Sequence, residues 1–220
     1  MELLQSVKHK STYFMRVHFY FFIKRLFDIL MSGVLILLFS PPSIYIAYKI
    51  YKREGKPVIF KETYAGKNHR IFTMYTFRIK TPKRQLIKAL PPYPFPSNWQ
   101  QGVPDKFNFK RDGDTFYTVT GLKLKKYFLH HLPQLWNVLK GDMSFVGPKP
   151  ERMEIASYYN RYQENRLKVR PGITGYAQIN LMERSGYNDM IHHDIYYIEH
   201  FSPLLDIKVL CLSFLNSFLK

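Results

Sequence analysis

The longest apolar pattern in the chain runs from Phe19 to Tyr51, with the uninterrupted stretch Ile29 to Phe39 at its centre. A straight helix across a bilayer takes about 20 apolar residues, so that central stretch alone is too short. It stops at Ser40-Pro41-Pro42. Two successive prolines remove two helix donors and crowd the preceding turn, which predicts a break there. Lys24 and Arg25 precede the stretch, and Lys49, Lys52 and Arg53 follow it. Cations collect on the cytoplasmic side of a membrane. The flanks therefore favour a helix–break–helix that enters one leaflet and returns, over a kinked spanning helix or a buried core helix. The Ser40 hydroxyl is the expected partner for backbone freed at the Ser40-Pro41 break. Asp28, a carboxylate inside the apolar pattern, is expected to pair with Arg25 three residues earlier.

Beyond Lys56 the period shortens. PVIF (57–60) and RIFTMYTF (70–77) alternate like strands, and Ala65-Gly66-Lys67-Asn68 between them predicts the turn of a hairpin. Residues 81–114 hold Pro82, Pro91, Pro92, Pro94, Pro96 and Pro104 with Tyr93, Phe95 and Trp99 between them, which predicts a loop or lid. After Gly121, helical spacing returns through Leu124, Phe128, Leu132, Leu135 and Leu139, around Pro133, with Gly141 at the C-cap. Glu151 to Arg166 reads as a polar, tyrosine-rich helix and Pro171 to Gly175 as a tight turn. A helix is expected around Asp189 to Glu199, and the apolar tail Leu204 to Leu219 suits an interfacial or core helix. The predicted fold class is α/β (α+β), mostly helical with a small β-hairpin or sheet, monotopic on a membrane. The expected organisation is a basic and aromatic segment (1–23), a re-entrant membrane helix (24–53) and a cytosolic domain (54–220) with the Pro-rich insert 81–114.

Charge narrows the partners. Lys and Arg number 33 against 16 Asp and Glu, leaving +17, a surplus that calls for an anionic membrane surface or nucleic acid. The 17 tyrosines and 18 phenylalanines suit membrane interfaces and base stacking alike. The chain has no helix-turn-helix, RNP-like or zinc-finger pattern, and the broken apolar segment at 29–46 has no use in a nucleic-acid module. Nucleic acid is therefore not expected as a partner. The single Cys211 excludes an intramolecular disulfide framework, and the early apolar run lacks the small-residue cleavage site of a signal peptide.

Two long blocks, LPQLWNVLKGDMSFVGPKP (132–150) and VRPGITGYAQIN (169–180), resemble the signature of the bacterial sugar-transferase family. KRLFD (24–28), GKPVIF (55–60), FR (77–78) and the downstream Asp194, Tyr197, Ser202 and Asp206 fall in the family's order, so the resemblance runs from about residue 24 to 210. It implies a monotopic enzyme with one re-entrant helix on the cytoplasmic face of the bacterial inner (plasma) membrane. It further implies transfer of a sugar-1-phosphate from a UDP-sugar to polyprenol (undecaprenyl) phosphate, with release of UMP and use of Mg²⁺, in polysaccharide or glycoconjugate synthesis. Two anionic substrates meeting near a bilayer need cations, and Arg78, Lys149 and Arg170 are the candidate phosphate binders. Lys149 stands where the family usually has arginine, which keeps the charge but loses the bidentate fork.

The resemblance also implies a nucleophilic aspartate in an Asp-Glu pair just before Leu-Pro-Gln. This chain has His130 and His131 there, Tyr64 in place of an arginine near the hairpin turn, and Thr76 in place of a lysine before Phe77-Arg78. Three readings of the histidine pair follow. One is a non-catalytic homologue, a scaffold or regulatory subunit for an active homologue or for glycosyltransferases of the pathway. Another is a transferase in which His130 takes the phosphoryl group itself. The third is a transition-metal site, disfavoured because neighbouring side chains on a helix point about 100° apart. His192 and His193 are expected to be surface or interfacial residues.

Overall fold

In the computed structural model the described residues are 2–80, 99, 101–105, 117–181 and 185–219, with side chains described between Phe19 and Asn216. Most of the Pro-rich insert lies outside them. Its described part includes Trp99 and Val103, both buried in a core cluster with Ile155, Leu167, Ile191 and Ile195.

Helix α1 runs from Glu2 to Glu54 with Pro41 and Pro42 inside it. The helix thus continues through the two prolines where a break is expected, and a local contact helps to carry it. The Leu37 carbonyl would normally accept from the amide of residue 41, which proline lacks. The Ser40 hydroxyl donates to that carbonyl instead, at 2.9 Å. From Phe19 to Glu54, α1 is long and apolar enough to cross a membrane, and few of its residues are buried. Phe22, Leu30, Val34, Leu37, Leu38 and Ile44 all face outward.

The pairing of Asp28 also differs from expectation. Its buried carboxylate accepts from the Ser144 hydroxyl and the Phe145 amide, each at 3.2 Å. Arg25 turns to the carbonyls of Val138 and Leu139, at 2.6 and 2.8 Å. Those belong to the last turn of a helix, where carbonyls lack internal partners and a cation is favoured. Tyr20 and Lys24 bind Asp206 at 2.7 and 2.6 Å, and Tyr197 donates to the same carboxylate.

Strands β1 (Ile59–Ala65) and β2 (Ile71–Phe77) form the predicted antiparallel hairpin, with Ile59 opposite Phe77. Helices α2 (Val119–Lys126) and α3 (Gln134–Lys140) flank Pro133, and Gly141 closes α3 at φ 94°, a conformation that glycine adopts without strain. Strand β3 (Ser144–Val146) follows, then β4 (Glu151–Arg152), which joins the hairpin at β1.

The long helix expected over 151–166 is replaced by β4, a single turn α4 (Met153–Ala156) and a 3₁₀ helix over Gln163–Lys168. Tertiary contacts override the local pattern here. The Gln163 side chain bonds both the amide and the carbonyl of Val103, at 3.0 and 2.8 Å. The expected turn at 171–175 is largely strand: β5 (Gly172–Thr174) pairs parallel with β3. A Cβ on Gly172 would run into the Gly147 backbone, so glycine permits this close pairing. Helices α5 (Tyr176–Asn180), α6 (Tyr187–Glu199) and α7 (Pro203–Leu219) complete the chain. The result is mostly helical with a small sheet, as the sequence implies.

Candidate active site

The histidine pair sits in a turn fixed at both ends. Upstream, the Thr118 hydroxyl caps α2 by accepting from the Gly121 amide at 2.8 Å. Downstream, the fully buried Asn137 ties α3 to β2: its side-chain oxygen accepts from the Tyr75 amide at 3.1 Å and its nitrogen donates to the Thr73 carbonyl at 2.7 Å. Between them, Phe128 takes a left-handed conformation at φ 56° and starts a 3₁₀ turn over Leu129–His131. A bulky residue there is uncommon and marks local strain. Leu129 and Leu132 pack on Ile46, Ile50, Phe77 and Leu124, so the two leucines clamp the turn by its apolar side.

The rings of His130 and His131 lie 3.8 Å apart, centroid to centroid, at 39°. The two rings lie against each other although successive residues of a 3₁₀ turn point about 120° apart. His130 Nδ1 is 3.3 Å from the Leu124 carbonyl. Burial pushes the His130 pKa down, and the nearby Lys125 charge adds to this against the Leu124 hydrogen bond. His131 falls further, to about 3, through burial first and then the adjacent His130 and Lys149. Both imidazoles are therefore neutral at neutral pH, whereas an exposed histidine would be partly charged.

Of the three candidate phosphate binders, only Lys149 is near enough for its charge to act on His131. Its backbone is held by Arg166, whose Nη2 donates to the Lys149 carbonyl at 2.8 Å. The Arg166 guanidinium also meets Asp194 at 2.8 Å, Glu151 at 3.3 Å and the Tyr159 hydroxyl at 2.7 Å. Arg166 escaped the sequence reading because an arginine in a Gln-Glu-Asn-Arg run looks like a solvated face. Arg78 follows β2, 1% exposed, and donates to the Glu54 carbonyl at 2.5 Å, with the Glu54 carboxylate at 3.7 Å. Its Nε and Nη1 are buried without a partner among the described residues. Arg170 lies elsewhere: its Nε donates to the Gly141 carbonyl at 2.8 Å, at the opposite end of α3 from the histidines.

Leu132 and Pro133, next to the pair, line a cavity of about 460 Å³ that also takes in Ile36, Phe39, Ser40 and Ile44 of α1 and Trp136 of α3. Ser40 thus faces the site's apolar side, while Pro41 is exposed. Tyr64 lies on β1, its hydroxyl bonded to Glu62 at 3.0 Å, and Thr76 sits opposite Phe60 in the hairpin. His192 bonds the Tyr162 hydroxyl at 2.6 Å at an exposed position on α6, as a surface histidine would.

The donor set at the pair does not suit Mg²⁺. That ion takes hard oxygen ligands in octahedral geometry, and the groups at this turn are two imidazoles and an ammonium. Among the described residues no group of three or more His, Cys, Asp or Glu could hold a metal ion. No chemical step is assigned to Mg²⁺ here.

The sequence profile described as bacterial sugar transferase matches residues 19–220, nearly all of the described chain. This chain belongs to the bacterial sugar transferase family. Among curated relatives, the "uncharacterized sugar transferase EpsL" of Bacillus subtilis is 34% identical over 191 residues, covering 87% of this chain and 85% of that one. The UDP-N-acetylgalactosamine-undecaprenyl-phosphate N-acetylgalactosaminephosphotransferase of Aeromonas hydrophila is 36% identical over 196 residues, covering 86% of this chain and 42% of that protein. An undecaprenyl-phosphate galactose phosphotransferase of Salmonella typhimurium is 32% identical, with 86% and 39% covered. The chain thus spans about two fifths of these two longer relatives.

Proposed function

We propose that this protein transfers a sugar-1-phosphate from a UDP-sugar to undecaprenyl or another polyprenol phosphate, releasing UMP, at the cytoplasmic face of the bacterial inner membrane. The observation that carries this reading is one juxtaposition. An apolar cavity built partly from the membrane helix α1 adjoins, through Leu132-Pro133, a turn that packs the His130 and His131 rings 3.8 Å apart, with the Lys149 charge acting on His131. A lipid acceptor needs an apolar track that ends at a phosphate-binding, reactive point, and this arrangement supplies both. The relatives' names, which pair undecaprenyl phosphate with galactose or N-acetylgalactosamine phosphate transfer, support the same reading.

The proposed membrane mode keeps both ends of α1 on one face of the bilayer, as a re-entrant helix bent at Pro41-Pro42 without losing its helical course does. Support comes from the two flanks of the apolar stretch, which bind one and the same body. Lys24 meets Asp206 and Arg25 meets the end of α3, while Ile46 and Ile50 pack on Phe77 and Leu124 and Glu54 meets Arg78. A helix crossing the bilayer would carry its flanks to opposite faces. The net charge of +17 adds attraction to an anionic leaflet.

The test is UMP release by detergent-solubilised protein given undecaprenyl phosphate and, in turn, UDP-galactose, UDP-N-acetylgalactosamine and UDP-glucose. Turnover with at least one donor, dependent on the lipid phosphate, is expected. No turnover with any of them would overturn the transferase reading and leave the scaffold role.

A further inference from the structure

Within that proposed transfer reaction, we propose that His130 is the covalent nucleophile, attacking through Nε2 and carrying the sugar phosphate as a phosphohistidine. The tautomer argument is geometric. A backbone carbonyl can only accept a hydrogen bond, so the 3.3 Å contact between His130 Nδ1 and the Leu124 carbonyl puts the ring proton on Nδ1. In a neutral imidazole the proton then sits on one nitrogen only, and Nε2 keeps its lone pair. This is how second partners set histidine chemistry elsewhere: the group bound at one nitrogen decides what the other can do.

The surroundings keep the ring in that form. Leu129 and Leu132 fix the backbone on both sides of the pair. The His131 ring, 3.8 Å away, covers one flank, and Phe128 lies 6.5 Å from His130 on the same turn. Burial disfavours the imidazolium, so no proton has to leave before attack. Lys125 acts on His130 and Lys149 on His131, which supplies positive charge where transferred phosphate oxygens accumulate negative charge.

The step balances without an outside acid or base. The Nε2 lone pair attacks the phosphorus that bears the sugar, an N–P bond forms, and the P–O bond to UMP breaks with its electron pair leaving on UMP. The phosphorylated ring is cationic, with the Nδ1 proton held on the Leu124 carbonyl. An oxygen of the polyprenyl phosphate then attacks the same phosphorus, and the N–P electron pair returns to Nε2. The products are UMP and a polyprenyl diphosphate sugar, and His130 is again neutral. His131 is a positioning residue in this scheme: its ring packs against the nucleophile, and the Gln134 side chain is its polar neighbour.

The experiment labels the protein with UDP-galactose, UDP-N-acetylgalactosamine and UDP-glucose carrying ³²P at the β-phosphate, without lipid acceptor. The expected adduct survives alkali, is lost in acid, maps to the peptide containing residues 129–131, and is chased off by undecaprenyl phosphate. His130→Asn is the matched variant, because its side-chain amide can still donate to the Leu124 carbonyl while Nε2 is gone. A melting profile like that of the wild type, no label and UMP release lower by ~10³-fold or more are expected of it. An adduct that is alkali-labile and hydroxylamine-sensitive would place the phosphoryl group on a carboxylate and overturn the proposal. So would UMP release with no adduct, or labelling that persists in His130→Asn. UMP release without a histidine adduct sinks this proposal alone, whereas absence of UMP release from every donor sinks the transferase reading with it.

Discussion

Two arginines in this protein are equally buried and oppositely used. Arg166 and Arg78 are 2% and 1% exposed. Arg166 touches Asp194, Glu151, the Tyr159 hydroxyl and the Lys149 carbonyl. Among the described residues Arg78 makes one hydrogen bond, to the Glu54 carbonyl, has a carboxylate no nearer than 3.7 Å, and leaves Nε and Nη1 unpartnered. A buried charge is costly unless paired and hydrogen-bonded. Arg166 meets that condition within the fold, and burial has not freed its proton: its neighbours hold the pKa well above the ordinary value. Arg78 keeps two buried donors without a partner among the described residues. The pair separates an arginine whose donors the fold satisfies from one whose donors it does not, a distinction that burial alone does not make.

The largest effect is expected on the scaffold side. Arg166→Met strands Asp194 and Glu151 beside the Tyr159–Tyr187 hydroxyl contact of 2.9 Å and releases the Lys149 backbone. Removing one partner of a buried ion pair costs about 3–5 kcal/mol, to be read from urea or thermal unfolding in detergent. The pH dependence sharpens the point. Burial raises the Asp194 pKa to about 6 against the pull of Arg166. A carboxyl raised in the folded state binds its proton more readily there than when unfolded. Its contribution therefore increases as pH falls from about 6 toward the ordinary 3.8, and is lost as pH rises through 6. Asp194→Asn should flatten stability across that window. An unchanged slope would place the titration elsewhere.

Arg78→Ala should fall on the other side of the comparison. It loses one hydrogen bond but also removes two unpartnered buried donors, so its stability loss should be well below that of Arg166→Met. Its affinity for UDP, read by calorimetry, should drop about tenfold or more, since hydrogen bonds to charged groups are worth about 1.5–3 kcal/mol. Unaltered UDP binding with a large stability loss would make Arg78 a second scaffold arginine and remove the contrast.

This contrast was half legible in the sequence. Arg78 follows an alternating strand and is flagged by the resemblance; Arg166 sits in a polar run whose inward turn depends on Gln163 gripping Val103 some sixty residues away in sequence. The same division holds elsewhere. The hairpin, α3 with its Gly141 cap and α6 follow from local period and local caps, so they could be read. Along α1 the Ser40 hydroxyl replaces one of the two amides missing at Pro41-Pro42, and no hydrophobic pattern encodes that contact. At the site, the position of the histidines was legible, but not the 3₁₀ turn that carries them, the close approach of their rings or the placement of Arg170 beyond the far end of α3.

The smallest expected effect tests the partner rather than the arginine. Glu54 ends α1, and its carboxylate oxygens are buried without a hydrogen bond, 3.7 Å from Arg78 at the closest. At that separation its charge attracts the guanidinium without saturating it, and competes with any anion for the same field. Glu54→Gln removes the competing charge and leaves the backbone carbonyl that Arg78 binds. UDP affinity should rise by a few-fold, about 1 kcal/mol or less at the effective dielectric of a protein site. The sign is what matters. If affinity falls instead, Glu54 orients Arg78 toward the ligand, and the carboxylate belongs to the binding apparatus as the arginine does.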